Sequence, residues 1–174
     1  MPWADVLYGC DARWWNEHNG CKDFWGERYS SHAKGSVSDN KTDVAEKYGL
    51  NLVKGAPGAG FSTDPDVIHY GDNSGHQAVN LAILLGSPYI VLVGFDMRFK
   101  EGKSHFFGDH PKDLFQRKEY GSFARMFKPA PKGVEIINAT PGSALKVYPM
   151  MGLEDALENH SLHRNGAIHN AAAG

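Results

Sequence analysis

The sequence is short of cysteine, of long apolar runs and of any excess of positive charge, and each shortage removes a class of function. Cys10 and Cys21 are its only cysteines, too few for a disulfide framework or a four-thiolate metal site. Cys10 lies in an apolar run and reads as a small core residue. No stretch approaches the ~20 apolar residues that cross a bilayer, so no membrane span is expected. Lys and Arg number 18 against 20 Asp and Glu. With no basic stripe, nucleic-acid binding is not expected either, although locally clustered charge still suits a phosphate. Residues 1–5 have neither the basic start nor the apolar core of a signal peptide, so a cytoplasmic protein is expected.

What is present is an ordinary globular composition. At 174 residues, 41% hydrophobic and 22% charged, the chain has the material for one domain with a substantial core. Residues 5–10 read as a strand and 13–18 as a helical turn closed by Asn19 and Gly20. Residues 21–49 are polar and rich in Gly and Ser, and only 41–48 has a helical pattern there, with Gly49 as its stop. Residues 51–54 and 67–70 read as short strands, separated by a Gly-rich loop over 55–60. From Ser74 the spacing of Ala78, Leu81, Ala82, Leu84 and Leu85 predicts a helix ended by Gly86, with Pro88 just beyond. Residues 89–95 are apolar without alternation, as in a strand covered on both faces. A helix over 113–127, a strand over 134–138 and a short helix over 153–158 complete the series. The stretch 160–174 reads as a frayed tail. Strands alternating with helices predict one α/β domain over 1–159 with a mostly parallel open sheet and helices on both faces.

In such sheets ligands bind outside the carboxyl ends of the strands. Four segments sit there: Cys10-Asp11, Gly71 to Gly75, Gly94 to His110, and Asn138 to Ser143. The run Gly71-Asp72-Asn73-Ser74-Gly75 leads into a helix start, where free N–H groups and the helix dipole favour an anion. Asn73 and Ser74 suit donation to a phosphate, or simply capping of the helix. Asp96 ends the most apolar strand, where it either contacts a ligand or cation or braces the loop. Asn138 and Ser143 have the same two readings at the last strand. Ser104 to Pro111 is the densest titratable cluster: a neutral His there can take a proton from a hydroxyl, and a nearby carboxylate can orient it. The five-residue spacing of His105 and His110 matches no zinc pattern, so no metal site is assigned. His18, His32, His69, His76, His160, His163 and His169 read as solvated. Trp3, Trp14, Trp15 and Trp25 read as core aromatics rather than stacking platforms.

The residues Gly71-Asp72-Asn73-Ser74-Gly75, Ala78, Leu81-Ala82, Leu85-Gly86, Ile90, Leu92 and Gly94-Phe95-Asp96 carry a resemblance. This stretch is similar to a region of the bacterial lipooligosaccharide sialyltransferases and of the group holding the flagellin-modifying motility accessory factors and archaeal-type hydroxymethylpterin diphosphokinases. With Asp5 to Trp15, Ser104 to Gly108 and Asn138 to Leu145, the likeness covers about three-quarters of the chain, and its overall look is that of uncharacterised phage and prophage members. It implies a single Rossmann-like domain and a nucleotide-dependent transferase, with glycosyl transfer from a nucleotide-sugar and magnesium as an open companion of the donor. It makes His105 the general base and Asp96 a positioning group, puts the donor phosphates near Asn73, Ser74, Gly75, Asn138 and Ser143, and leaves Arg98 or Lys103 to offset leaving-group charge. Two departures stand out. The families' opening strand with its Gly-x-Gly-Pro-Ser type loop has no counterpart here, which implies an N-terminally shortened member with an exposed sheet edge inviting self-association. The two tyrosines that follow Gly-x-Asp in the sialyltransferases are also absent, Met97, Arg98, Phe99 and Lys103 standing there instead. The alternative implied is a phage protein in the host cytoplasm that keeps the fold without catalysis and acts in assembly or partner binding.

Overall fold

A computed structural model describes residues 3–32, 41–99 and 120–159. The elements alternate: strand β1 Val6–Tyr8, helix α1 Ala12–Glu17, β2 Glu27–His32, α2 Lys41–Tyr48, β3 Asn51–Ala56, β4 Val67–His69, α3 Ser74–Leu84, β5 Tyr89–Leu92, α4 Tyr120–Met126 and β6 Glu135–Asn138. A further helical segment covers 153–159. All pairings are parallel, as the alternation of strand and helix predicts. Where one continuous sheet is expected, however, the strands form two: β1-β2-β3-β4 in that order, and β5-β6.

Helices cover both faces of the larger sheet. Leu7 packs with Ala12, Trp15, Val44, Ala45 and Tyr48 of α1 and α2, while its neighbour Tyr8 turns to the other face and donates from its hydroxyl to Gln77 of α3. Successive strand residues point to opposite faces, so one strand serves both layers. The opposite side of α3 meets the smaller sheet, where Val79 joins Leu92, Ile136, Phe127, Leu145 and Tyr148 in a second core. Helix α3 therefore bridges the two sheets.

Several expectations need correcting. Strand β2, in the middle of the larger sheet, lies within the stretch read as polar and irregular. It buries small hydroxyl residues on both faces, Ser30 and Ser31 being 4% and 0% exposed, and Ser31 donates to Gln77. That pattern carries no apolar alternation to read. Strand β3 runs through Gly55 and Ala56, read as loop, because the ring of Tyr70 packs where a Gly55 side chain would lie. Trp15 is fully buried, but Trp3 and Trp25 are 77% and 62% exposed, so they are not core aromatics. His76, read as solvated, is fully buried. The predicted helix over 113–127 is described only from Tyr120 onward, and the tail 160–174 lies outside the described residues.

Candidate functional site

Local chemistry sets the first turn of α3. Asn73 is extended (φ -155°, ψ 152°), and its side-chain oxygen accepts from the His76 N–H at 2.8 Å, the geometry of an N-cap. Its amide group donates to the Gly71 carbonyl at 2.7 Å. Gly71 adopts φ 51° with the His76 ring packed where a Cβ would stand, so this turn needs glycine twice over. Helical bonding gives the N–H groups of Ser74 and Gly75 no acceptor inside the helix. Replacing Asn73 by Ala is expected to cost about 1 kcal/mol in urea unfolding without any ligand present; no loss would remove the cap role.

Three loops meet around this turn. From β1, the Cys10 sulfur lies 2.9 Å from the Ser74 hydroxyl. From β5, the Phe95 ring lies 3.1 Å from the position of a Gly75 side chain. From β6, Thr140 accepts from the Phe95 N–H at 2.9 Å, Ser143 donates to the Phe95 carbonyl, and Ala144 N–H donates to the Asp96 carbonyl at 2.8 Å. The Arg98 guanidinium lies against Gly142, 2.8 Å from where a side chain would begin. Asp72 and Met97, one in each of two adjoining loops, hold left-handed backbone at φ 58° and 49°. Such conformations cost a non-glycine residue roughly 1 kcal/mol each, and they aim the flanking polar residues.

The expected site residues divide into two sets. Asn73, Asn138 and Ser143 are occupied internally. Asn138 is fully buried, donating to the Leu145 carbonyl and accepting from the Thr140 N–H, each at 3.0 Å. Ser143 also accepts from the Leu145 N–H at 3.0 Å. These bonds are what the bracing alternative requires. Ser74 and Gly75 lie where the β1 and β5 loops meet α3, and Asp96 and Arg98 follow in the β5 loop beside the β6 loop, Asp96 half-buried and Arg98 exposed. Lys103 and His105 lie outside the described residues.

Sequence reasoning missed the buried polar residues behind this turn. Gln77 accepts from Tyr8 and Ser31 and donates to the Tyr70 carbonyl at 2.9 Å. Burial of its phenol pushes the Tyr8 pKa well above the usual range, so it stays a donor. Asn80, one turn on, binds Ser62 and His69. The signal was present in polar residues at 76, 77 and 80 on a helix with apolar residues all round. Among the described residues, no group of three or more His, Cys, Asp or Glu is placed to hold a metal ion. The chain matches no family model, no curated protein and no solved structure.

Proposed function

We propose that the chain is a nucleotide-dependent transferase of Rossmann-like architecture that binds the phosphates of a nucleotide or nucleotide-sugar at the start of α3. The observation that supports this best is the meeting of β1, β5 and β6 loops around the Ser74 and Gly75 amides. Two first-turn amides, the Ser74 hydroxyl and the Arg98 guanidinium would supply donors and positive charge to a phosphate. Asp96 would orient the sugar or a cation, and His105, with Lys103 beside it in sequence, would bring the general base to an acceptor hydroxyl. The proton would pass from that hydroxyl to the imidazole as the oxygen attacks the donor sugar, and the nucleotide phosphate would leave with the bonding electrons.

The test is a thermal-shift series on this chain with CMP, UDP, GDP, ATP and CMP-sialic acid, with and without magnesium. One of these is expected to raise the melting temperature saturably, since a ligand at a hundred times its Kd stabilises by about 2.7 kcal/mol. His105→Ala should keep that shift and lose turnover, whereas Arg98→Ala should weaken the shift. No shift with any nucleotide would overturn the donor site, and unchanged turnover in His105→Ala would remove the base. In that event the non-catalytic, partner-binding alternative would lead.

A further inference from the structure

Three polar side chains are buried along α3, and one of them differs from the other two. Gln77 and Asn80 are bonded to Tyr8, Ser31, Tyr70, Ser62 and His69. His76 stands next to them, 0% exposed, and neither of its ring nitrogens has a hydrogen-bond partner within 3.5 Å among the described residues. An imidazole can make two such bonds. Burying it with neither is a cost that an apolar residue at this position would avoid.

The walls around this ring are unequal. Phe61 stacks on it at 4.8 Å and Phe127 meets it edge-on at 5.0 Å, so two walls are apolar. The nearby Met126 carbonyl already accepts from the Gly60 N–H at 2.7 Å. Strand β4 brings the His69 imidazole, whose charge would oppose one on His76, and α3 itself has no charged residue. The last wall is the turn 71–73, with the ring packed where a Gly71 side chain would lie. Asp72 in that turn is exposed, and its carboxylate favours an imidazolium. His69 and Asp72 are thus the titratable groups acting on His76.

The turn is also the least secured wall. Asn73 ties it with three bonds: its side chain accepts from the His76 N–H at 2.8 Å and donates to the Gly71 carbonyl at 2.7 Å, and its carbonyl accepts from the Gln77 N–H at 3.3 Å. Asp72 holds left-handed backbone at φ 58°, which opening of the turn would relax. In contrast, β4 is held by its ladder with β3 and by Asn80, and Phe127 belongs to the second core.

We propose that His76 is an acid-sensitive latch that holds the head of α3 closed only while its ring is neutral. The neutral ring fills the aromatic cage and supports the turn, which keeps the Ser74 and Gly75 amides in place. The protonated ring leaves the cage towards Asp72 and solvent. That movement breaks the Asn73 cap, because the N–H that Asn73 binds is His76's own. The donors at the helix start then lose their fixed arrangement, so an anion site there exists only with His76 neutral. Burial lowers the His76 pKa from 6.5 to about 4, so the open form gains as the pH falls through that interval. His76 acts on the site through the turn and is a positioning residue. The opening of the turn does not depend on what binds there.

The test is amide hydrogen exchange, followed by NMR on the full chain from pH 7 to pH 4 and corrected for the pH dependence of the unprotected rate. The His76 and Gln77 amides should be protected at pH 7 and approach the unprotected rate at pH 4. Amides of the β5–β6 ladder should keep at least roughly hundredfold protection throughout, since local opening leaves the rest of the fold intact. His76→Phe keeps an aromatic ring in the cage without a proton site, and its turn should stay protected at pH 4. Asp72→Asn, a residue that tolerates left-handed backbone, should move the opening to lower pH. Exposure of the ladder together with the turn would overturn the latch in favour of global unfolding. Exposure confined to residues 57–62 would overturn it too, by placing the exit at another wall. An unchanged acid response in His76→Phe would also overturn it, and if that variant fails to fold, an unmoved midpoint in Asp72→Asn would do so. None of these outcomes uses a nucleotide, so the latch and the transferase reading stand or fall separately.

Discussion

Acidification from pH 6.5 to 4 is expected to remove about 3 kcal/mol of folding stability through one residue, His76. Its ring is fully buried, stacked on Phe61 at 4.8 Å and edge-on to Phe127 at 5.0 Å, and neither ring nitrogen has a hydrogen-bond partner within 3.5 Å among the described residues. Burial disfavours the imidazolium and lowers the pKa from 6.5 to about 4, with the nearby His69 and Met126 carbonyls acting weakly in the other direction. The sign follows from proton counting. Between those two values the unfolded chain binds a proton at this position and the folded chain does not, so protons favour unfolding. The contribution is complete above pH 6.5, falls as the pH drops, and is lost by about pH 4. Urea unfolding at several pH values measures it. His76→Leu should flatten this limb of the profile, and a profile of unchanged slope would show that the acid sensitivity arises elsewhere.

Asn80→Leu is expected to cost about 3–4 kcal/mol, because it strands three backbone groups at once. The Asn80 side chain is fully buried, accepting from the Ser62 and His69 N–H groups at 2.8 and 2.9 Å and donating to the Ser62 carbonyl at 3.0 Å. Leucine keeps the branching and heavy-atom count but has no polar atom, and its methyl groups are bulkier than the amide, so some crowding adds to the lost hydrogen bonds. The cost stays below the sum of three fully buried groups because His69 is only half-buried and water can reach it. Faster amide exchange at Ser62 and His69, ahead of the rest of the larger sheet, would locate the damage at the 57–66 connection and β4. A loss no greater than that of Asn73→Ala would mean that these amides find other acceptors.

The contrast between these two residues and the elements around them shows what could be read from the sequence. Helix α3 was legible because its apolar spacing, its Asn73 cap and Gly86 are all local features, each acting within a turn or two. Strand β5 was legible in its start and type from its apolar run, but it ends at Leu92 instead of Phe95, and Val93 is 58% exposed where cover on both faces is expected. That the connections after β1, β5 and β6 run close to the head of α3 follows from parallel strands ending on one side of the helices they pack against. The roles within that site were not legible in the same way. Asn73, Asn138 and Ser143 have the side chains of ligand-binding residues, yet each satisfies backbone groups a few residues away or in a neighbouring loop. A ligand contact and a turn brace demand the same chemistry, so sequence left both readings open.

By itself the sequence determined the α/β class, the positions of most helices and strands, and the polar turn at the head of α3. Periodicity, capping and glycine placement act over a few residues, and no distant partner has to be known to read them. Only the tertiary structure decided the rest. It made Ser31 and Tyr8 interior by bringing Gln77, 46 and 69 residues away, to receive their hydroxyls. It buried His76 among aromatic rings, closed the edge of β4 with Asn80, and brought the ends of β1 and β5 to one helix turn. Burial and strand pairing depend on which surfaces meet across the fold, and a residue's type does not state what will lie opposite it.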